Sequence, residues 1–158
     1  MTNLSLKPVG AIKNINEEFC IVLEKEYIPA LTNIQDFKYI NIIWWFTDSD
    51  NEKSRNNLIE KSPYLNSPEK LGVFATRSPE RPNPIALTCS YVTYIDIENG
   101  IIGLAYIDAY NNSPVLDIKP YTPAFDRVKQ PLSPDWCKEW PDSIESSANF
   151  DWSKVFNF

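Results

Sequence analysis

The sequence predicts an all-β fold, mainly antiparallel, and three observations carry that reading. Residues 85–97 alternate from Leu87 onward. Leu87, Cys89, Tyr91, Thr93, Ile95 and Ile97 fall on one side, and Thr88, Ser90, Val92, Tyr94 and Asp96 on the other, the period of a strand. Asn99-Gly100 then offers a type I′ turn, because both residue types tolerate positive φ, and residues 101–107 make the return strand. Helical periodicity around this hairpin is weak, which favours a barrel or a sandwich.

The other elements follow in order. Residues 19–23 form a short apolar run. Residues 40–46, Ile-Asn-Ile-Ile-Trp-Trp-Phe, read as a strand by length and by β-branched and aromatic content. Their near-continuous apolarity predicts burial on both faces, or one face in a core and one in an interface. Residues 54–61 offer two helical turns, capped from Asp48-Ser49-Asp50 and stopped by Pro63. Residues 71–75 are a further strand candidate. After Asp126 the chain becomes rich in proline and tryptophan, with Trp136, Trp140 and Trp152. The expected organisation is a barrel domain over residues 1–130 and an irregular C-terminal tail over 131–158, packed on the barrel.

Composition narrows the function classes. At 158 residues the chain has room for one domain with a short appendage. Its net charge of −6 excludes nucleic-acid binding by bulk attraction, so such a partner needs a local basic patch. Histidine is absent, which removes the commonest general base and metal ligand. Cys20, Cys89 and Cys137 are odd in number, far apart and form no C-x-x-C pair. No metal site is therefore expected, and a reducing cytoplasm is the expected compartment. No signal peptide or membrane span is expected either.

One segment concentrates the chemistry. Residues 72–85 read Gly-Val-Phe-Ala-Thr-Arg-Ser-Pro-Glu-Arg-Pro-Asn-Pro-Ile. Pro79, Pro82 and Pro84 fix φ and remove three backbone donors, so this is a rigid loop between strands. Arg77 and Arg81 stand on it in an otherwise acidic chain, and guanidinium forks suit carboxylate or phosphate. The plainer alternative is a braced turn whose arginines pair internally. A second segment, residues 108–121, holds the polar turn Asn111-Asn112-Ser113-Pro114, then Val-Leu-Asp-Ile, then Lys119-Pro120-Tyr121. Asp117 and Lys119 share a strand face and suit an ion pair.

Together these two segments resemble the tRNA threonylcarbamoyladenosine methyltransferase family, also called TrmO or TsaA-like. Its pattern G-V-F-A-T-R-S-x-x-R-P-N-P-I and later D-I-K-P-Y-x-P occur here in order, and Pro8-Val9-Gly10 resembles the family opening. The resemblance covers about residues 5–127 and implies a TsaA-like β-barrel, S-adenosyl-L-methionine as cofactor, and a homodimer with the cofactor near the subunit interface. It further implies N-methylation of a threonylcarbamoyl-modified adenosine beside the anticodon of tRNA. Cofactor contacts implied by the matching positions are Arg77 and Pro114. Arg81, Pro82, Asn83 and Pro84 shape or line the same pocket. Thr47 and Asp48, at the exit of the tryptophan strand, and Asn111, Asn112 and Ser113 complete the set.

The chain departs from the family at named positions. Phe37-Lys38-Tyr39 stands for Phe-Ser-His, Phe46-Thr47-Asp48 for Phe-His-Gln, and Asn111-Asn112-Ser113-Pro114 for Asp-Gly-Thr-Pro. Ala86 replaces a glycine, and residues 14–18 shorten the first loop. Without histidine, a base for an amide-like nitrogen would be a carboxylate or a tyrosine. The candidates are Asp48, Asp117 and Tyr121, the tyrosine suited to orienting because its ordinary pKa is about 10. Two alternatives stay open: a methyltransferase of this fold acting on a small molecule, and a binding protein without chemistry.

Overall fold

The computed structural model describes residues 4–157. Eight strands follow in chain order: β1 (Gly10–Ile15), β2 (Glu18–Leu23), β3 (Tyr39–Trp45), β4 (Ile59–Lys61), β5 (Lys70–Gly72), β6 (Ile85–Asp96), β7 (Ile101–Leu104) and β8 (Pro114–Pro120). Three single-turn helices accompany them: α1 (Glu52–Arg55), α2 (Pro123–Asp126) and α3 (Ile144–Ser147). The chain divides into two compact units. One joins the residues up to Asp50 with Pro84–Arg127, and the other joins Asn51–Asn83 with the segment from Val128 on.

The first unit is a closed barrel of order β1-β2-β7-β6-β3-β8, every pairing antiparallel. Closure removes free sheet edges. Its core is branched aliphatic: Ile12, Ile21, Ile40, Ile42, Ile102 and Val115 are fully buried. In β3 only Ile40, Ile42 and Trp44 are buried, and the intervening residues are half-buried. On β6 the more polar face turns inward: Ala86, Ser90 and Val92 are buried, while Leu87 and Tyr91 are exposed. The interior makes room for that polarity, since Trp44 Nε1 donates to Thr88 Oγ1 at 3.0 Å. The register of β6 slips between Val92 and Ile95, setting Thr93 and Tyr94 opposite Gly103, a β-bulge. A Cβ on Gly103 would stand 2.3 Å from the Tyr94 ring.

Both barrel hairpins differ from expectation. The β6–β7 turn is no type I′ turn. Asp96 pairs with Ile101 across four loop residues, only Gly100 has positive φ (67°), and Asn99 is held by Asp96 through its amide N–H (3.1 Å) and its Nδ2 (2.7 Å). The tight two-residue turn joins β1 to β2 instead, where Asn16 and Glu17 both have positive φ, at 52° and 69°.

In the second unit the expected helix over 54–61 is replaced by one turn and a strand. Asn51, not Asp48-Ser49-Asp50, caps α1, its Oδ1 accepting from Ser54 N at 3.0 Å. Residues 59–61 pair with β5 as a two-stranded sheet. The expected strand 71–75 stops at Gly72, and Val73–Ala75 form a 3-10 turn. Tyr64, Leu71 and Val155 are buried here, with Trp136, Trp140, Phe150 and Trp152 packed against them. The aromatic residues of the C-terminal segment thus share a core with residues 64 and 71. No helix among the described residues is long and apolar enough to cross a membrane.

Candidate functional site

In the barrel, strand pairing gathers one group of candidates at one end. Trp44 pairs with Ala86 and with Val115, and Ala11 pairs with Pro114. The exit of β3 (Thr47, Asp48), the entry of β6 (Pro84) and the entry of β8 (Asn111 to Pro114) therefore meet. Phe46 N donates to Pro84 O at 2.8 Å, tying two of these segments. Thr47 and Asp48 lie exposed on a 3-10 turn, beside which Trp45 Nε1 donates to Asp50 Oδ2 at 3.1 Å.

The asparagine turn is built against β1. Asn112 adopts a left-handed φ of 72°, a conformation asparagine tolerates better than most residues. Its N–H donates to Ile12 O at 2.7 Å, and Ile12 N donates to Ser113 O at 2.8 Å. Lys13 Nζ donates to Asn112 Oδ1 at 2.5 Å, and Asn14 N to Asn111 Oδ1 at 3.1 Å. Both carboxamide oxygens thus face β1. Ser113 and Pro84 are buried, so they build the site's frame. Asn111 and Asn112 are exposed, and Pro114 is half-buried.

Arg77, Arg81, Pro82 and Asn83 lie on the second unit. There Arg81 is a loop staple: Nε donates to Ser78 O at 2.7 Å, and Nη2 to Thr76 O at 2.8 Å and Val73 O at 3.1 Å. Ser78 Oγ donates to Glu60 Oε1 at 2.7 Å, and Asn57 Nδ2 bridges Glu60 and Glu80. Arg55 Nη1 donates to Pro82 O at 3.0 Å. The loop is thereby braced from inside, and Arg77 and Asn83 are among its exposed residues, with Phe74, Ala75 and Pro79. The organisers Arg55, Asn57 and Glu60 were not singled out from sequence, since nothing in their spacing announces a shared target.

The three base candidates do not converge. Asp117 points outward in mid-β8, accepting from Lys119 Nζ at 2.6 Å and from Ile118 N at 2.9 Å. Tyr121 lies beyond the far end of β8, its N–H donating to Tyr39 O at 3.0 Å. Asp48 follows the opposite end of β3, about 20 Å away by strand rise. Of the three, Asp48 alone shares the barrel end with the asparagine turn. Burial, then Glu18, pushes the Cys20 thiol up, which keeps it protonated and unreactive. Burial also raises Tyr94 and Tyr106.

A closed antiparallel barrel with polar groups at its strand exits stands apart from the doubly wound sheets that bind nucleotides at a topological switch point. This is a closed-barrel protein whose polar candidates from three strand ends gather at one end. The chain belongs to the tRNA-methyltransferase O N-terminal domain family, whose model matches residues 7–127. It is 37% identical over 127 residues to a probable S-adenosyl-L-methionine-binding protein of Methanocaldococcus jannaschii, covering 78% of this chain and 97% of that one. It is 35% identical over 105 residues to the tRNA (adenine(37)-N6)-methyltransferase of Homo sapiens, covering 66% of this chain and 23% of that protein. The fold matches the crystal structure of TrmO from Pseudomonas aeruginosa with a TM-score of 0.65 at 22% identity. That match covers 85% of this chain, which spans 62% of the solved one.

Proposed function

We propose that the protein is an S-adenosylmethionine-dependent methyltransferase that N-methylates a threonylcarbamoyl-modified adenosine next to the anticodon of tRNA. The observation that carries this is the family match over residues 7–127, which takes in both the closed barrel and the motif of residues 72–85. Relatives named for S-adenosylmethionine binding and for tRNA adenine methylation support it.

The donor set fits the cofactor. The Nδ2 groups of Asn111 and Asn112 and the turn's backbone suit an adenine edge. The Thr47 hydroxyl suits the cofactor's hydroxyls, and on the second unit the Arg77 guanidinium suits a carboxylate. Pro114 follows the asparagine turn and Pro84 and Ser113 are its buried neighbours on the barrel, while Arg81 braces the loop that carries Arg77 and Asn83. When bound, S-adenosylmethionine supplies a methyl group on a sulfonium. The protein's part is placement and exclusion of water. Asp48 is the group we assign to accept the acceptor's proton, on its position at the same barrel end.

The exposed outer stripe of β6, with Ile85, Leu87 and Tyr91, supports a homodimer. The free thiols of Cys20, Cys89 and Cys137 support a reducing, cytoplasmic compartment. The capture of Arg81 and Lys119 in internal contacts, with a net charge of −6, favours a small acceptor molecule as the second reading.

Calorimetric titration with S-adenosylmethionine should show saturable binding. Absence of heat at millimolar ligand would sink the enzymatic reading. Methyl incorporation into threonylcarbamoyl-modified tRNA, and not into unmodified tRNA, is the expected assay outcome. Cofactor binding without transfer to either would leave the small-acceptor reading standing.

A further inference from the structure

Residues 51–83 number 33, and the buried ones are few: Ser54, Tyr64, Leu71 and Val73. A segment below about 40 residues does not bury enough surface to hold itself. The C-terminal segment supplies what is missing. Trp136 stacks on Tyr64 with ring centroids 5.4 Å apart and planes at 11°, and Trp140 meets the same ring edge-on at 5.0 Å. The chain end adds backbone pairing: Leu65 N donates to Val155 O at 2.8 Å, and Asn157 N to Pro63 O at 3.1 Å. Asn157 Nδ2 donates to Ser62 O at 3.0 Å.

This cluster reaches the arginine loop by two routes. The Tyr64 hydroxyl accepts from Arg77 N at 3.5 Å. Leu71, buried in the same cluster, leads through Gly72 into the turn whose Val73 carbonyl anchors Arg81. The family match ends at residue 127, so the segment that does this lies outside it.

We propose that residues 128–157 form a clamp that positions the Arg77 loop, with Trp136 and Trp140 as positioning residues. The proposal rests on the reading that Arg77 holds S-adenosylmethionine. Its consequence is that cofactor affinity depends on aromatic packing beyond the matched domain.

The test uses the full chain with Trp136→Ala and Trp136→Phe, read by amide hydrogen exchange and by calorimetric titration with S-adenosylmethionine. In Trp136→Ala, exchange over residues 73–81 should accelerate about tenfold or more while β3 keeps its protection. The dissociation constant should rise about tenfold, the equivalent of 1.4 kcal/mol. Trp136→Phe keeps an aromatic face and should restore both. Unchanged exchange over 73–81 in Trp136→Ala overturns the clamp. So does loss of β3 protection alongside the loop, which would make the cluster part of a global core. So does a loosened loop with unchanged affinity. If the parent chain binds no S-adenosylmethionine, the proposed function fails while the exchange measurements still decide the clamp.

Discussion

The Arg81 guanidinium is held by three carbonyls of its own loop, an arrangement that needs a planar fork. Arg81→Lys should therefore lower stability by about 1.5–3 kcal/mol, the range for hydrogen bonds to a charged group, measured by urea denaturation. Arg77→Ala should weaken S-adenosylmethionine binding by about 1.5–3 kcal/mol. An Arg81→Lys chain as stable as the parent, or an Arg77→Ala chain that binds as tightly, would overturn the assigned roles. The motif made both arginines visible in the sequence, but not their division of labour. Arg81's partners are backbone carbonyls, which have no residue identity to read. The glycines divide as sharply. A Cβ at Gly10 would lie 2.4 Å from Val22 O, a backbone atom of the paired strand, whereas one at Gly72 meets nothing within 4 Å. Gly10→Ala should cost about 1–3 kcal/mol by overpacking. Gly72→Ala should be neutral or slightly stabilising, because its φ of −62° suits alanine. Thermal melts of the two variants check the contrast.

At the scale of elements, the β6–β7 turn carries a pH dependence. Asn99 holds the Asp96 carboxyl below its ordinary range, first through its side-chain hydrogen bond and then through its backbone N–H. A carboxyl depressed in the folded state stabilises above its unfolded pKa, and that contribution is lost as pH falls through the lower folded value. Asn99→Ala should move the Asp96 titration up toward the ordinary range, followed by carboxyl NMR shifts. No movement would show that Asn99 does not hold it. Strand β3 was legible from its length and its β-branched and aromatic content, but its near-continuous apolarity did not show that only Ile40, Ile42 and Trp44 are buried. The β1–β2 turn was not, since Asn16-Glu17 puts a glutamate in the left-handed region without a glycine to signal it. Residues 54–61 misled for a different reason. A cap and a few polar residues satisfy a helix pattern locally, and the pairing of Ile59 with Gly72 that overrides it is remote.

For the molecule as a whole, the barrel was legible and the two-unit arrangement was not. Strand β6 announces itself by local alternation, and the hairpin it begins pointed to a barrel or a sandwich. The grouping of residues 51–83 with the segment from Val128 on depends on ring contacts such as Tyr64 with Trp136, between residues with no local relation. Ile42 is fully buried in the barrel, and Ile42→Ala should cost about 2–5 kcal/mol by leaving a cavity. Urea denaturation of that variant measures it, and a loss under about 1 kcal/mol would contradict the packed interior. The pairing of Asn157 with Ser62 joins residues 95 apart. Chains are made from the N-terminus, and their parts fold as they emerge. All eight strands precede Trp136 in that order, so the barrel can close while residues 51–83 still wait for their aromatic partners. The Arg77 loop then takes its final setting only after residue 157 has been made. Competence for the proposed chemistry is thus acquired after the barrel can close, and the sequence position of the clamp works as a clock.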